Sequence, residues 1–239
     1  MRIVCISDTH GNHRDIHVPE CDVLVHAGDI VMDFFEMPSR VLDDFQDFLA
    51  WFNEQPARYK LFIGGNHDFG LYFANMRKRY EAMVPEGVIY LRDSEVVIDG
   101  VKFYGTPWQP KFGDGAFNIR DHKARLAKME LIPDDTNVLI THVPPKTVMD
   151  RLRKSHRDMA WTKSGQKFRH VGCGAIQKQL KRLKELRLHV FGHIHFTHGV
   201  RRKDGVVFVN AAQSGSKKPY EIERDAIMVD LLEAGVLVS

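Results

Sequence analysis

The sequence predicts an α/β domain, and three observations carry that prediction. Five short apolar runs read as buried strands, and each delivers Asp or His where it ends: Ile6-Ser7-Asp8-Thr9-His10, His26-Ala27-Gly28-Asp29, Leu61-Phe62-Ile63-Gly64-Gly65-Asn66-His67-Asp68, Leu139-Ile140-Thr141-His142 and Val190-Phe191-Gly192-His193-Ile194-His195. Between the second and third runs, Val41, Leu42, Phe45, Phe48, Leu49 and Phe52 recur at helical spacing. Two Asp-Gly pairs between β-prone stretches, Asp99-Gly100 and Asp204-Gly205, mark hairpins.

Length and composition narrow the class. A chain of 239 residues and 27.5 kDa suits one domain, 1–239, with a substantial core. Hydrophobic residues at 44% and charged residues at 27% are those of a soluble globular protein, and a net charge of +3 is too small to name a partner. Cys5, Cys21 and Cys173 show no CxxC spacing, which excludes a disulfide framework and reads as a cytoplasmic pattern. The only apolar run at the amino terminus is Ile3 to Ile6, far short of a signal peptide's core. No stretch approaches the ~20 apolar residues a membrane helix needs, so no membrane partner is expected.

Taken in order, Arg2 to Ser7 forms the first strand. Residues two apart on an extended backbone point the same way, so Asp8 and His10 can grip one ion. His13 and His17 fall on what reads as a solvated loop. Asp22 to His26 is the second strand, and the helical stripe spans Met37 to Phe52. Tyr59 to Ile63 is the third strand, after which Gly64 and Gly65 let the backbone turn sharply and approach a ligand. Leu71 to Tyr80 reads as one short helix, and Val96 to Ile98 with Val101 to Tyr104 as a hairpin.

The loop Gly105 to Gly113, rich in Gly, Pro and aromatics, is long enough to be functional, with Trp108 a candidate substrate-binding wall. Val138 to Thr141 is a strand leading into His142. Lys146 to His170 then carries eight Lys or Arg against two Asp, a net charge of +6. The charge continues along a helix marked by Ile176, Leu180 and Leu183. The basic segment 146–187 reads either as a solvated face or as a field that draws in anions, with Arg151 and Arg153 as candidate substrate-binding residues and nucleic acid as a candidate partner. Leu188 to Phe191, Val206 to Asn210 and Ala226 to Leu232 supply the closing strands.

The ordered set Asp8-x-His10, Gly28-Asp29, Gly65-Asn66-His67-Asp68, His142 and Gly192-His193-x-His195 resembles the calcineurin-like metallophosphoesterases over residues 4 to 195. Carboxylate, imidazole and one amide, with no thiolate, suit two divalent transition-metal ions, Mn²⁺ first with Fe or Zn²⁺ as alternatives. The resemblance implies a four-layer αββα sandwich of two mixed sheets with the metals at the strand ends. It also implies that Asp8, His10 and His195 hold one metal, that Asn66, His142 and His193 hold the other, and that Asp29 bridges them. Asn66 is a candidate substrate contact as well. The implied chemistry is attack on phosphorus by hydroxide shared between the metals, with His67 protonating the leaving oxygen.

Gly105-Thr106-Pro107-Trp108, Thr141-His142-Val143-Pro144-Pro145, Gly172-Cys173 and Val209-Asn210-Ala211 extend the resemblance to the small metallophosphoesterase-domain proteins of the brain-expressed group and their bacterial relatives. That group implies small phosphodiester or nucleotide substrates, cyclic ones included. The rival readings are a nuclease or phosphomonoesterase, and a non-catalytic binding scaffold. One departure stands out. Relatives commonly carry an acid three positions after the Gly-Asp aspartate to orient the catalytic histidine, and here Met32 holds that place with Asp33 next. Either Asp33 orients His67 from the shifted position, or His67 is oriented otherwise.

Overall fold

The first strand shows why the chain stacks in layers. In β1 (Arg2–Ile6), Ile3 and Cys5 turn to one face, Val4 and Ile6 to the other, and all four are fully buried. A strand apolar on both faces belongs in the middle of a sheet covered on both sides. The computed structural model, which describes residues 1–32, 40–153, 168–215, 220–232 and 235–238, builds that arrangement.

Beside β1 lie β2 (Cys21–His26), β3 (Ala57–Phe62) and β4 (Val88–Tyr90), all parallel. On its other side β13 (Ile227–Leu232) and β14 (Gly235–Val238) complete the first sheet in antiparallel pairing. The second sheet runs β11 (Gly199–Lys203), β12 (Val206–Asn210), β10 (Leu188–Phe191), β7 (Val138–Thr141), β6 (Val101–Thr106), β5 (Ser94–Ile98). Its four central strands are parallel and its two edge strands antiparallel. Both Asp-Gly turns expected from the sequence are present, with Asp99 at φ 47° and Gly100 at φ 79° joining β5 to β6.

The core between the sheets comes from alternate residues of each, with Ile3, Cys5, Val25 and Leu61 meeting Val138, Ile140, Val190 and Val209. On the outer face of the first sheet α1 (Val41–Glu54) packs Phe45, Phe48 and Phe52 against Val4, Ile6, Leu24 and Phe62. On the outer face of the second, α4 (His122–Glu130) and α5 (Gly174–Gln179) bring Met129 and Ile176 onto Tyr104 and Leu139. The result is the four-layer αββα sandwich. A small ladder of β8 (Arg151–Arg153) and β9 (Phe168–His170) stands apart from both sheets.

Two local expectations change. The single helix expected over Leu71 to Tyr80 is divided into α2 (Phe69–Tyr72) and α3 (Ala74–Glu81), because Phe73 adopts an extended conformation at φ −67° and ψ 127°. His13 is not on a solvated loop: it is buried, its ring lies against Phe48 and Trp51, and its Nε2 lies 2.9 Å from Asp47. A side chain that reaches 34 residues along the chain for its partner leaves no local signal. Cys5, Cys21 and Cys173 are buried free thiols, and burial pushes Cys5 well above the usual thiol range. Among the described residues, no helix is long and apolar enough to cross a membrane.

Candidate metal centre

Parallel strands end on the same side, and loops at those carboxyl ends form the crevice where open α/β sheets bind ligands. Here two sheets bring their strand ends together. The loops after β1 and β2 are laced by backbone bonds, Asp8 N–H to Gly28 O at 2.9 Å and His10 N–H to Asp29 O at 3.1 Å. Ser7 bridges to Ala212 across the sheets, and Gln213 N–H donates to Ser7 O at 3.0 Å. Asp8, His10, Asp29 and His193 all hold positive φ, between 45° and 66°. Such conformations cost non-glycine residues of order 1–3 kcal/mol each and cluster where side-chain direction matters more than ease.

Two glycines make the close approach. A Cβ on Gly65 would lie 2.3 Å from both the backbone nitrogen and a carboxylate oxygen of Asp29, and one on Gly192 would lie 2.0 Å from Asp8 Oδ2. Hydrogen is the only side chain that fits at either place.

The side chains then gather into groups whose donor atoms lie within 4.8 Å of one another: Asp8 with His10 and His195, and Asp29 with His142 and His193. In the first group His195 Nε2 is 3.1 Å from Asp8 Oδ1 and 3.3 Å from His10 Nε2. In the second His142 Nε2 is 3.0 Å from Asn66 Oδ1 and 3.3 Å from Asp29 Oδ2. The tautomers follow from the other ring nitrogen: Nδ1 of His195 donates to Gly215 O at 2.7 Å and that of His142 to Ala27 O at 2.9 Å. In each ring this leaves Nε2 as a lone pair aimed at other lone pairs. A proton or a metal cation between them resolves the repulsion, and the residues fit a pair of divalent ions held by oxygen and imidazole nitrogen.

The electrostatics agree. Burial would raise the Asp8 carboxyl, but the hydrogen bond and charge of His195 hold it well below the ordinary range. Burial acts the same way on Asp29, and His142 and His67 overcome it to keep Asp29 ionised. Burial depresses His10 and His193 to about 3, so both are neutral lone-pair donors. For His142 burial is outweighed by Asp29, whose charge and hydrogen bond raise it to about 9. Without metal, a proton takes the cation's place between His142 and Asp29. Loading a divalent ion must displace that proton, so affinity should climb by about tenfold per pH unit as pH rises toward about 9. Metal titrations across that range check this; an affinity flat with pH would take His142 Nε2 out of the donor set.

His67 sits beside both groups without closing either. Its Nε2 is 3.9 Å from Asp29 Oδ2, its ring stands edge-on to His10 at 4.8 Å, and its backbone N–H donates to Asp29 Oδ1 at 2.9 Å. Its donor atom also lies within 4.8 Å of those of His10 and Asp29. Among the described residues its buried Nδ1 has no partner. Asp33, the candidate orienting acid, lies outside the described residues.

The substrate-side expectations fare unevenly. A cavity of about 520 Å³ opens over His10, Asp29, Asn66, His67, His193 and His195, walled by Phe112, Leu152, Ile194, Phe196 and Tyr220. Trp108 does not line it: its indole N–H donates to Asp93 at 2.7 Å, and its ring packs on Phe117 and under Lys128. Phe112, from the same loop, is on the wall instead. Arg151 is exposed on β8 and does not line the cavity, Arg153 is described only by its backbone, and residues 154–167 of the basic segment lie outside the described residues.

Two residues of the site had no role assigned from sequence. Tyr220 stacks on His10 at 4.5 Å with planes 23° apart, and its backbone oxygen accepts from Asn12. Asp68, buried, accepts backbone N–H groups from Gly65 at 2.7 Å, Ile30 at 3.0 Å and Val31 at 3.2 Å, clamping the loop of β3 to that of β2. Removing that carboxylate orphans three buried donors at about 1–3 kcal/mol each. Asp68→Ala is therefore expected to lower the melting temperature by roughly 10 °C for a chain of this size. Calorimetry on the metal-free protein tests it, and an unchanged transition would mean that the clamp carries no stability.

Comparison with known proteins accords with this geometry. The calcineurin-like phosphoesterase family model matches residues 1–196. Human metallophosphoesterase domain-containing protein 1 is 35% identical over 250 residues, covering 96% of this chain and 71% of that protein. The Caenorhabditis elegans UPF0046 protein K07C11.7 is 35% identical over 89% of this chain and 70% of its own length. Among solved structures, TT1561 of Thermus thermophilus superposes over 100% of this chain and 97% of its own at a TM-score of 0.60 and 11% identity. A putative 5′-nucleotidase of Staphylococcus aureus does so over 100% of this chain and 52% of its own, at 0.52 and 12%. At such identities the structures speak for the fold.

Proposed function

Because this chain belongs to the calcineurin-like phosphoesterase family, whose members are metal-dependent hydrolases of phosphoric esters, we propose that its substrates are phosphodiesters of nucleotide type. One observation carries the choice of diester. Among the described residues lining the cavity over the donor groups there is no Lys or Arg, and five of its walls are Phe112, Leu152, Ile194, Phe196 and Tyr220. A monoester brings a dianion and one organic group; a diester brings a monoanion and two. An apolar vestibule without permanent cations suits the second.

Asp8, His10 and His195 would hold one ion and Asn66, His142 and His193 the other, with Asp29 between them; we favour Mn²⁺ for this donor set. When bound, the pair neutralises charge at phosphorus and acidifies water toward neutral pH. Asp29 fixes the loop that carries His67, through the His67 N–H. Asn66 directs Oδ1 toward His142 and leaves its Nδ2 to donate to a phosphoryl oxygen. His67 gives a proton to the departing oxygen. The vestibule excludes water from the organic groups.

The test is a panel on the manganese-loaded protein: bis(p-nitrophenyl) phosphate, p-nitrophenyl phosphate and cyclic nucleotides. A higher kcat/KM on the diesters is expected. A higher value on p-nitrophenyl phosphate would return the site to phosphomonoester chemistry.

A further inference from the structure

A second cleft, of about 310 Å³, opens beside the first. Phe112 and His193 line both, and the Phe112 ring stands edge-on to His193 at 4.4 Å as the partition between them. The two clefts differ in charge. The second is lined by Lys111, Arg169 and His170, whereas no Lys or Arg lines the first among the described residues.

Its imidazole is held in place. His170 Nδ1 lies 2.6 Å from Asp150 Oδ1, and Asp150 is fully buried while accepting backbone N–H groups from Thr147 at 3.0 Å and Gly172 at 3.1 Å. With Nδ1–H donated to that carboxylate, Nε2 is the polar atom left to the cleft. Among the described residues Lys111 pairs only with Asp114, at 4.0 Å, and Asp114's side chain is 92% exposed, a pairing that water and salt largely screen. Among the described residues Arg169 is in no ion pair. A guanidinium and an ammonium facing one cleft form a donor pair for an anion, and the planar guanidinium fork suits phosphate oxygens.

We propose that this cleft is a subsite for a second phosphate of the same substrate, one that flanks the scissile diester, as in an oligonucleotide bearing a terminal phosphate. The inference rests on the diester reading above and deepens it. The first cavity takes the reacting monoanion and the second takes the neighbouring anionic group, on opposite sides of Phe112. Arg169 and Lys111 bind the anion, and His170, held by Asp150, forms part of the wall.

The dinucleotide ApA and its 5′-phosphorylated form pApA separate the two clefts. For the wild-type protein, pApA should show a KM about tenfold below that of ApA. In the Lys111→Ser, Arg169→Ser double variant the ratio should fall below about twofold, and Arg169→Lys with Lys111 intact should keep most of it. Inorganic pyrophosphate titrated calorimetrically into the metal-free protein gives a readout without turnover, with binding expected in the wild type and lost in the double variant. Equal KM values for ApA and pApA in the wild type, a ratio that survives in the double variant, or equal pyrophosphate binding by both proteins would each overturn the subsite. Failure of the wild type to hydrolyse bis(p-nitrophenyl) phosphate would instead undo the diester reading, and the pyrophosphate titration would still decide the subsite.

Discussion

Asp29→Asn is expected to cut turnover by about 10³-fold while leaving the fold intact. Among the described residues Asp29 is the one carboxylate that faces both donor groups, with His142 Nε2 at 3.3 Å and His10 Nε2 at 4.0 Å from its Oδ2. Replacing its charge with a neutral amide removes an attraction of roughly 4 kcal/mol at ~4 Å for an effective dielectric of ~20, which corresponds to about three decades in rate. The amide keeps one oxygen, so the acceptor for the His67 N–H can survive. Two readouts locate the loss. Metal stoichiometry should drop below two per chain, and the circular dichroism spectrum should not change. Wild-type turnover in the variant would mean that Asp29 does not lie between the ions.

His67→Ala should discriminate between leaving groups. A nucleoside alkoxide is a poor leaving group and needs a proton, whereas p-nitrophenolate departs without one. General acid assistance is typically worth ~10²–10⁴-fold, so a loss of that order is expected on a cyclic nucleotide and a much smaller one on bis(p-nitrophenyl) phosphate. Metal occupancy should be kept. Because His67 Nε2 approaches Asp29 and its ring approaches His10, loss of an ion from the variant would make His67 a ligand instead. Equal losses on both esters with full occupancy would assign it to stabilising charge at phosphorus.

What could be read from the sequence was whatever has a local pattern. The central strands announced themselves because they are apolar on both faces and stop abruptly at Gly, Asp or His; Ile3 to Ile6 and Val190 to Phe191 are examples. The residues whose donor atoms now lie within 4.8 Å of each other were readable for the same reason, since each stands just past a strand end. Elements with no such pattern went unread. β4 has three residues, β14 lies on a sheet edge, and α4 is a mostly polar helix marked at its start only by the Asp121 side chain, which caps Ala124 N–H at 2.7 Å.

Within the site, what was hidden depends on distant partners. Trp108 and Phe112 share a loop and look equally suited to a wall, and Asp93 decides between them by drawing the indole away. Asp68 could be seen as a member of Gly65-Asn66-His67-Asp68, but its clamp needs the backbones of Ile30 and Val31, 38 and 37 residues distant. Tyr220 comes from the far end of the chain onto His10 with no preceding signal.

The bridge from Ser7 to Ala212 marks the place where one sheet hands over to the other, and neither donor group belongs to a single sheet. Asp8 and His10 extend from the first sheet and His195 from the second; Asp29 and Asn66 from the first and His142 and His193 from the second. The interlayer core therefore acts as a caliper. Packed sheets stand ~10 Å apart, and the bulk of the side chains between them sets that gap. Trimming Leu61 or Val190, neither of which lines the cavity, would close the jaws slightly and alter the separation between the donor groups they carry. In this architecture the filling of the sandwich is part of the ruler by which the reactive centre is measured out.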